Sequence, residues 1–339
     1  MPDNGVIAFM KVLVSCMSVL LLVIIGYLLS VFQKGQYISG IVLPYAAIII
    51  FITGFIWRIV RWALSPVPFR IPTTCGQQKS LSTIKSSSID NPSGLIGVII
   101  RMFLEIVFFR SLFRNTRVEL YNESKLAYGS SKWLWLGAIA FHWTFLIILV
   151  RHMRFFIDPV PSIVSVLERA DGLFQIGLPV LYITNVLFGI ALFYLLIRRI
   201  VVPKMKIISL YQDYFPLFLI TGIAVTGILM RYFIKVDLLG VKSLMIGLTH
   251  FHPAIPHGIG SIFYIHLFLI CFMAIYFPFS KLMHMPGVFL SPTRNLANNN
   301  RARRHINPWN QAVAVHTYEE WEEEFHDKLK SAGFELEKE

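Results

Sequence analysis

Four histidines lie within or at the edge of two long apolar runs: His142 and His152 in one, His266 and His284 in the other. A neutral imidazole in hydrocarbon is costly without a partner, so ionisable groups at that depth are functional candidates by default. Two histidines from facing helices can grip a haem iron from both axial sides, which leaves no open site and suits electron transfer rather than oxygen chemistry. His142 and His152 are ten residues apart, about 15 Å of rise and roughly 80° around a helix, so both can face one side. His266 and His284 are eighteen apart, about 27 Å and five turns, and share a face. On antiparallel spans His142 then meets His284, and His152 meets His266, at two depths. The unequal rises demand tilt or a kink, for which Pro278 is the candidate. The alternative is four separate histidines, each hydrogen-bonded across helices; it gives no reason for four to share two spans at matching depths.

The elements that must carry these residues are membrane helices. The chain has 339 residues, 55% hydrophobic and only 15% charged, against roughly 25% charge in soluble domains. Six segments approach the roughly 20 apolar residues a bilayer requires: about Ile7–Phe32, Ile41–Leu64, Trp133–Phe156, Phe174–Ile200, Tyr214–Ile234 and Ile259–Leu282. The first is too long for the apolar core of a secretory signal and reads as a retained span. Leu95–Phe113 contains Arg101, Glu105 and Arg110, with Ile96, Ile100, Phe103 and Val107 at helical spacing. It reads as an amphipathic helix lying on the membrane.

Charge asymmetry supports six spans. They gather Arg58, Arg61, the basic 65–132 connection, Arg198, Arg199 and the Arg301–Arg304 cluster on one side, which the positive-inside rule makes cytoplasmic together with both termini. The formal net charge of +12 is thereby assigned to membrane orientation, and no nucleic-acid motif accompanies it. The expected fold is an all-α integral membrane protein. Residues 1–64 form two N-terminal helices, 65–132 a cytoplasmic connection with an interfacial helix, 133–284 a four-helix domain bearing the histidines, and 285–339 a cytoplasmic tail. In the tail, Thr317 and Glu320 make a capping box and Gly333 a stop, with Tyr318, Trp321, Phe325 and Leu329 as an apolar stripe suited to docking a partner.

Cys16, Cys75 and Cys271 supply neither a disulfide framework nor a covalent haem motif, and too few thiolates for an iron–sulfur cluster. His250, His252 and His257 form a loose cluster between spans five and six, read as solvent-facing or quinone-contacting rather than metal-binding. No other metal is expected. His305, His316 and His326 lie in the polar tail.

The histidine spacings resemble those of the di-haem cytochrome b (gamma) subunits of respiratory nitrate reductases. SPVPFRIPTTCGQQKSL (65–81), FFRSLFRNT (108–116), LAYGSSKWLWLGA (126–138) and FPFSKLMHMPGVFLSPTRNLANNNRARRHINPWN (277–310) resemble the membrane cytochrome b subunits of sulfite-reductase-associated (Dsr) electron-transport complexes, as does HTYEEWEEEFHDKLKSAG in the tail. The resemblance implies two haem b groups and menaquinol as substrate, in the cytoplasmic (inner) membrane. It also implies a cytoplasmic iron–sulfur partner related to heterodisulfide reductase, periplasmic multihaem cytochrome c and iron–sulfur subunits, and a further membrane subunit. On that reading menaquinol is oxidised at the outer His152/His266 level and electrons leave from the inner His142/His284 level. Arg151, Arg154, Asp158, Glu168 and His257, near the outer interface, are candidates to take protons or bind the quinol, or else interfacial anchors. Cys75, Tyr318, Trp321 and Phe325 are candidates for contact with the partner. The rival from another class is a haem-free membrane anchor or transporter, for which broken helices and inverted repeats would be expected.

Overall fold

A computed structural model describes residues 4–65, 87–121, 125–172, 180–291, 294–298 and 315–337. Among these residues, six helical segments are long and apolar enough to cross a membrane. The first is α1 (Asn4–Val31). The second is composite: α2 (Gln33–Tyr37), a π-helical turn over Ile38–Val42, and α3 (Leu43–Ala63). The remaining four are α6 (Lys132–His152), α8 (Ile183–Val201), α10 (Tyr211–Tyr232) and α12 (Ser261–Tyr276). In lipid every backbone amide must be satisfied within the segment, which makes helices the spanning element here. Six crossings return the chain to the side where it began, called below the termini side; the other is the far side.

α12 is the hub. It packs against α1, α3 and α10, whereas α6 packs chiefly on α8. One core cluster joins Ala47 of α3 to Tyr264, Leu267 and Cys271 of α12; another joins Val19 of α1, Leu219 of α10 and Leu269 of α12. α12 stops at a proline: Phe277–Phe279 tightens to a 3-10 turn, and Ser280 is extended (φ −114°, ψ 176°). His284 therefore opens a separate short helix, α13 (His284–Gly287), instead of prolonging α12. Gly54 makes room for the break, since a Cβ there would lie 2.8 Å from the Pro278 ring.

The fourth span starts later than the apolar run suggests. Val180–Tyr182 precede the helix, Tyr182 is extended, and helix begins at Ile183. Between spans the far side carries two helices the apolar pattern did not single out, α7 (Ser162–Asp171) and α11 (Leu238–Thr249). The termini side carries a short α9 (Pro203–Ile208).

The connection between spans two and three holds α4 (Leu95–Phe108), α5 (Arg110–Phe113) and a hairpin, β1 (Thr116–Tyr121) paired antiparallel with β2 (Lys125–Ser130). α4 is inside out for water: Arg101 and Glu105 are buried, while Leu95 and Ile96 are 73% and 76% exposed. That is the arrangement of a helix whose apolar face rests on lipid. Its last carbonyls are taken by indole donors of α6, Trp135 on Phe108 (2.7 Å) and Trp143 on Val107 (3.0 Å). Phe109, between α4 and α5, is left-handed (φ 50°), a costly conformation for a bulky side chain. Glu105 accepts from the Ser111 amide and hydroxyl across this joint.

Asp90 anchors the same region through Arg110 and Arg114. The Arg110 hydrogen bond leads the interactions that hold its carboxyl well below the usual aspartate range. A depressed native value means stabilisation that is complete above the unfolded value, about 4, and is lost as pH falls below it. Asp90→Asn is therefore expected to cost about 1.5–3 kcal/mol at pH 7, the range for hydrogen bonds to a charged group. In thermal unfolding of the detergent-solubilised protein, the gap between variant and wild type should close below about pH 4.

In the tail, α14 (Tyr318–Ser331) has the expected capping box, with Thr317 and Glu320 bonding reciprocally, and Gly333 (φ 79°) follows its end. Tyr318, Trp321 and Phe325 form a continuous row, ring centres 5.8 and 5.9 Å apart.

Candidate electron-transfer centre

The break in α12 resolves the mismatch of histidine spacing. α6 carries His142 and His152 on one continuous helix, α12 carries His266, and the turn after Pro278 brings His284 back to His142. The rings of His142 and His284 lie 6.0 Å apart, centre to centre, and nearly perpendicular at 89°. Phe109 and Phe141 meet the His142 ring edge-on, each 5.1 Å away. On the far side His152 lies within electrostatic range of His266.

All four imidazoles are held through Nδ1. His142 Nδ1 is 2.7 Å from the Ala138 carbonyl, His152 Nδ1 2.7 Å from that of Ile148, and His284 Nδ1 2.9 Å from that of Lys281. A carbonyl only accepts, so Nδ1 carries the proton and the Nε2 lone pair is free. His266 reaches the same state differently. The Thr226 hydroxyl, which donates to the Gly222 carbonyl (2.8 Å), lies 2.8 Å from Nδ1 and is placed to accept from the ring. Gly227 lets that ring lie on α10, since a Cβ there would come within 3.3 Å of His266 Cε1. A second partner that fixes the ring and its tautomer is what a metal-binding imidazole needs. His250 makes the same kind of bond to Ile246 (2.9 Å) on the far-side loop, so tautomer alone does not define a site; the pairing does. Among the described residues no three His, Cys, Asp or Glu side chains converge as a metal cluster.

The turn bearing His284 is fixed from α10. Lys281 reaches Asp213 (2.8 Å), which also faces Arg199 (3.5 Å), and Ser280 caps the Leu282 amide (3.1 Å).

The far-side candidates separate. Arg151 turns inward to Asp171 (3.0 Å), both almost fully buried, and donates to Asn185 (2.7 Å). Asp171 also receives the Thr184 amide (2.8 Å) and hydroxyl (2.5 Å). Arg154 pairs with Glu168 at 2.7 Å. Asp158, 65% exposed, pairs with Lys242. His257 is exposed on the loop before α12 and makes no hydrogen bond or ion pair among the described residues. Sequence reasoning missed Asp171, Tyr182, Asn185 and Arg231, which complete the buried network beside His152. The Arg151 and Arg231 guanidiniums lie 3.9 and 4.2 Å from the centre of the Tyr182 ring, and Asn185 reaches the Tyr232 hydroxyl (3.3 Å). One signal was available: Arg231 is a charge inside the fifth apolar run. Cys75 and the Arg301–Arg304 cluster lie outside the described residues.

The fold is that of a multi-pass helical membrane protein, and family and relatives make it a membrane subunit of the cytochrome b type. The chain belongs to the nitrate reductase gamma subunit family, whose pattern matches residues 98–304. It is 46% identical over 282 residues to the Hdr-like menaquinol oxidoreductase cytochrome b-like subunit of Archaeoglobus fulgidus, covering 81% of this chain and 84% of the relative. It is 42% identical over 274 residues to the protein of the same description from Archaeoglobus profundus, covering 79% and 81% respectively.

Proposed function

We propose that this chain is the di-haem b subunit of a menaquinol-oxidising membrane complex, with His142 and His284 holding one haem and His152 and His266 the other. The observation that carries the reading is the first pair. Metal–imidazole bonds run about 2 Å and a ring centre lies roughly 1 Å behind its nitrogen, so two rings on one iron sit about 6 Å apart. The 6.0 Å between His142 and His284, with both Nδ1 atoms committed to carbonyls, fits that requirement. Bound haem b supplies one-electron chemistry at two depths of the membrane.

The chain's own residues do the rest. Nδ1 bonds orient the four ligands. The Phe109 and Phe141 rings shield the His142 side. The far-side ion pairs Arg154–Glu168 and Lys242–Asp158 stand at the membrane edge, where quinol protons must leave. Family and relatives support menaquinol as donor. The charge asymmetry of the connections supports cytoplasmic termini, with electrons leaving on that side of the inner membrane. The resemblance to Dsr subunits extends the reading to a sulfur-metabolism complex with a cytoplasmic iron–sulfur partner related to heterodisulfide reductase, periplasmic multihaem cytochrome c and iron–sulfur subunits, and a further membrane subunit. The row Tyr318, Trp321 and Phe325 on α14 is then a docking face for the cytoplasmic partner.

Reduced-minus-oxidised optical spectra of the purified complex, with haem extracted and quantified against this subunit, test the proposal. Two low-spin b-type haems per chain, reducible by a menaquinol analogue, are expected. A chain without haem overturns it.

A further inference from the structure

Charge around the far-side histidines does not balance. Arg151, Arg154 and Arg231 all lie within electrostatic range of His152. Two carboxylates answer the first two: Asp171 for Arg151 and Glu168 for Arg154. Asp158 is engaged by Lys242. No carboxylate pairs with Arg231 among the described residues, and residues 173–179, just before Val180 in the chain, contain no Asp or Glu. Its hydrogen bond goes to the Val180 carbonyl (3.0 Å), while its Nε is buried without a partner.

The guanidinium is also aimed. It lies 4.2 Å from the centre of the Tyr182 ring, and Arg151 lies 3.9 Å from the same centre. Both guanidiniums rest on the Tyr182 ring, and that contact holds Arg231 in place. On α10, Arg231 stands one turn beyond Gly227, the residue against which His266 lies. A cation held half-buried at the end of a membrane span needs an anionic partner.

We propose that Arg231 is the ion-pair partner of a propionate carboxylate of the haem held by His152 and His266. The assignment rests on the haem reading above. An anionic oxygen is the required chemistry, and a lipid phosphate is its other source. The bound tetrapyrrole is favoured because Tyr182 and the Val180 carbonyl draw the guanidinium inward and leave its Nε buried rather than extended toward a headgroup. A cation beside a haem favours the reduced form, which carries one more negative charge.

The test is a redox titration of both haems in the intact complex, with the outer haem identified as the component lost in His266→Leu. In Arg231→Gln both haems should remain while the outer midpoint potential falls and the inner one holds. Arg231→Lys, which keeps the charge, should stay near wild type. An Arg231→Gln complex with both haems and unchanged potentials overturns the inference, and loss of bound anionic lipid in that variant assigns Arg231 to the bilayer instead. If Arg231→Gln fails to hold the outer haem, Arg231→Lys decides. Retention of both haems with a wild-type outer potential supports the ion pair; loss of the haem here too makes Arg231 a packing residue and overturns it. A wild-type complex without haem b would refute the underlying haem assignment, a result distinct from any of these.

Discussion

His266→Leu is expected to remove one haem and menaquinol oxidation together, and to leave the other haem and the bundle in place. Leucine keeps an apolar volume at a site that is 8% exposed and packed within the α12 hub, so the fold has no strong reason to fail. What would be lost is one of the two imidazoles proposed to hold the far-side haem, while the His142–His284 pair, a separate contact across the turn after Pro278, is untouched. Thr226→Val gives a graded version. It preserves shape but removes the acceptor for the ring Nδ1–H, and an unsatisfied buried donor costs about 1–3 kcal/mol. The far-side haem should then be retained less firmly, with its spectrum altered, in a protein that still assembles. Haem content by extraction and quinol-dependent reduction of the remaining haem are the measurements. A His266→Leu complex that keeps two haems and full quinol oxidation would refute the assignment of His266 as a ligand.

The fold was legible in the sequence where one physical requirement dominates. A bilayer asks for about 20 apolar residues at a stretch, and six runs of that length became six helices. The inward charges of α4 were foreshadowed by Arg101 and Glu105 spaced four apart. The kink needed to reconcile the histidine spacings falls at Pro278, where a ring replaces a backbone donor and Gly54 leaves room for it.

The far side was far less legible. α7 and α11 are short helices whose amphipathicity depends on what they lie against. The late start of α8 falls at Tyr182, whose ring meets guanidiniums from two other spans. The pairings Arg151–Asp171 and Arg154–Glu168 join residues 20 and 14 positions apart through a turn whose path no local pattern dictates. Arg151 and Glu168 were visible as charges near a membrane edge. That Arg151 is committed inward to Asp171, while Arg154 and Glu168 stay at the rim, is tertiary information.

That commitment has a large expected consequence. Asp171→Asn should be among the most destabilising single changes on the far side. Arg151 and Asp171 have side-chain exposures of 8% and 6%, so neither charge has water to fall back on. Asp171 also accepts the Thr184 amide and hydroxyl at the start of α8, tying α7 and α8 together. Removing one charge of a buried pair costs about 3–5 kcal/mol, chiefly because the other is left unpaired. Because Arg151 precedes His152 directly, the loss should appear both as a lower unfolding temperature and as weaker retention of the far-side haem, with the inner haem spared. Removing both charges separates the two causes. An Arg151→Met, Asp171→Leu double variant leaves no orphan charge, and replacing buried pairs by apolar groups is often neutral. It should therefore recover much of the unfolding temperature lost in Asp171→Asn. Recovery of stability without recovery of the far-side haem would show that Arg151 acts on the haem site itself and not only on the fold around it. Equal stability of wild type and Asp171→Asn would show that the ion pair does not hold the far-side end of the bundle together.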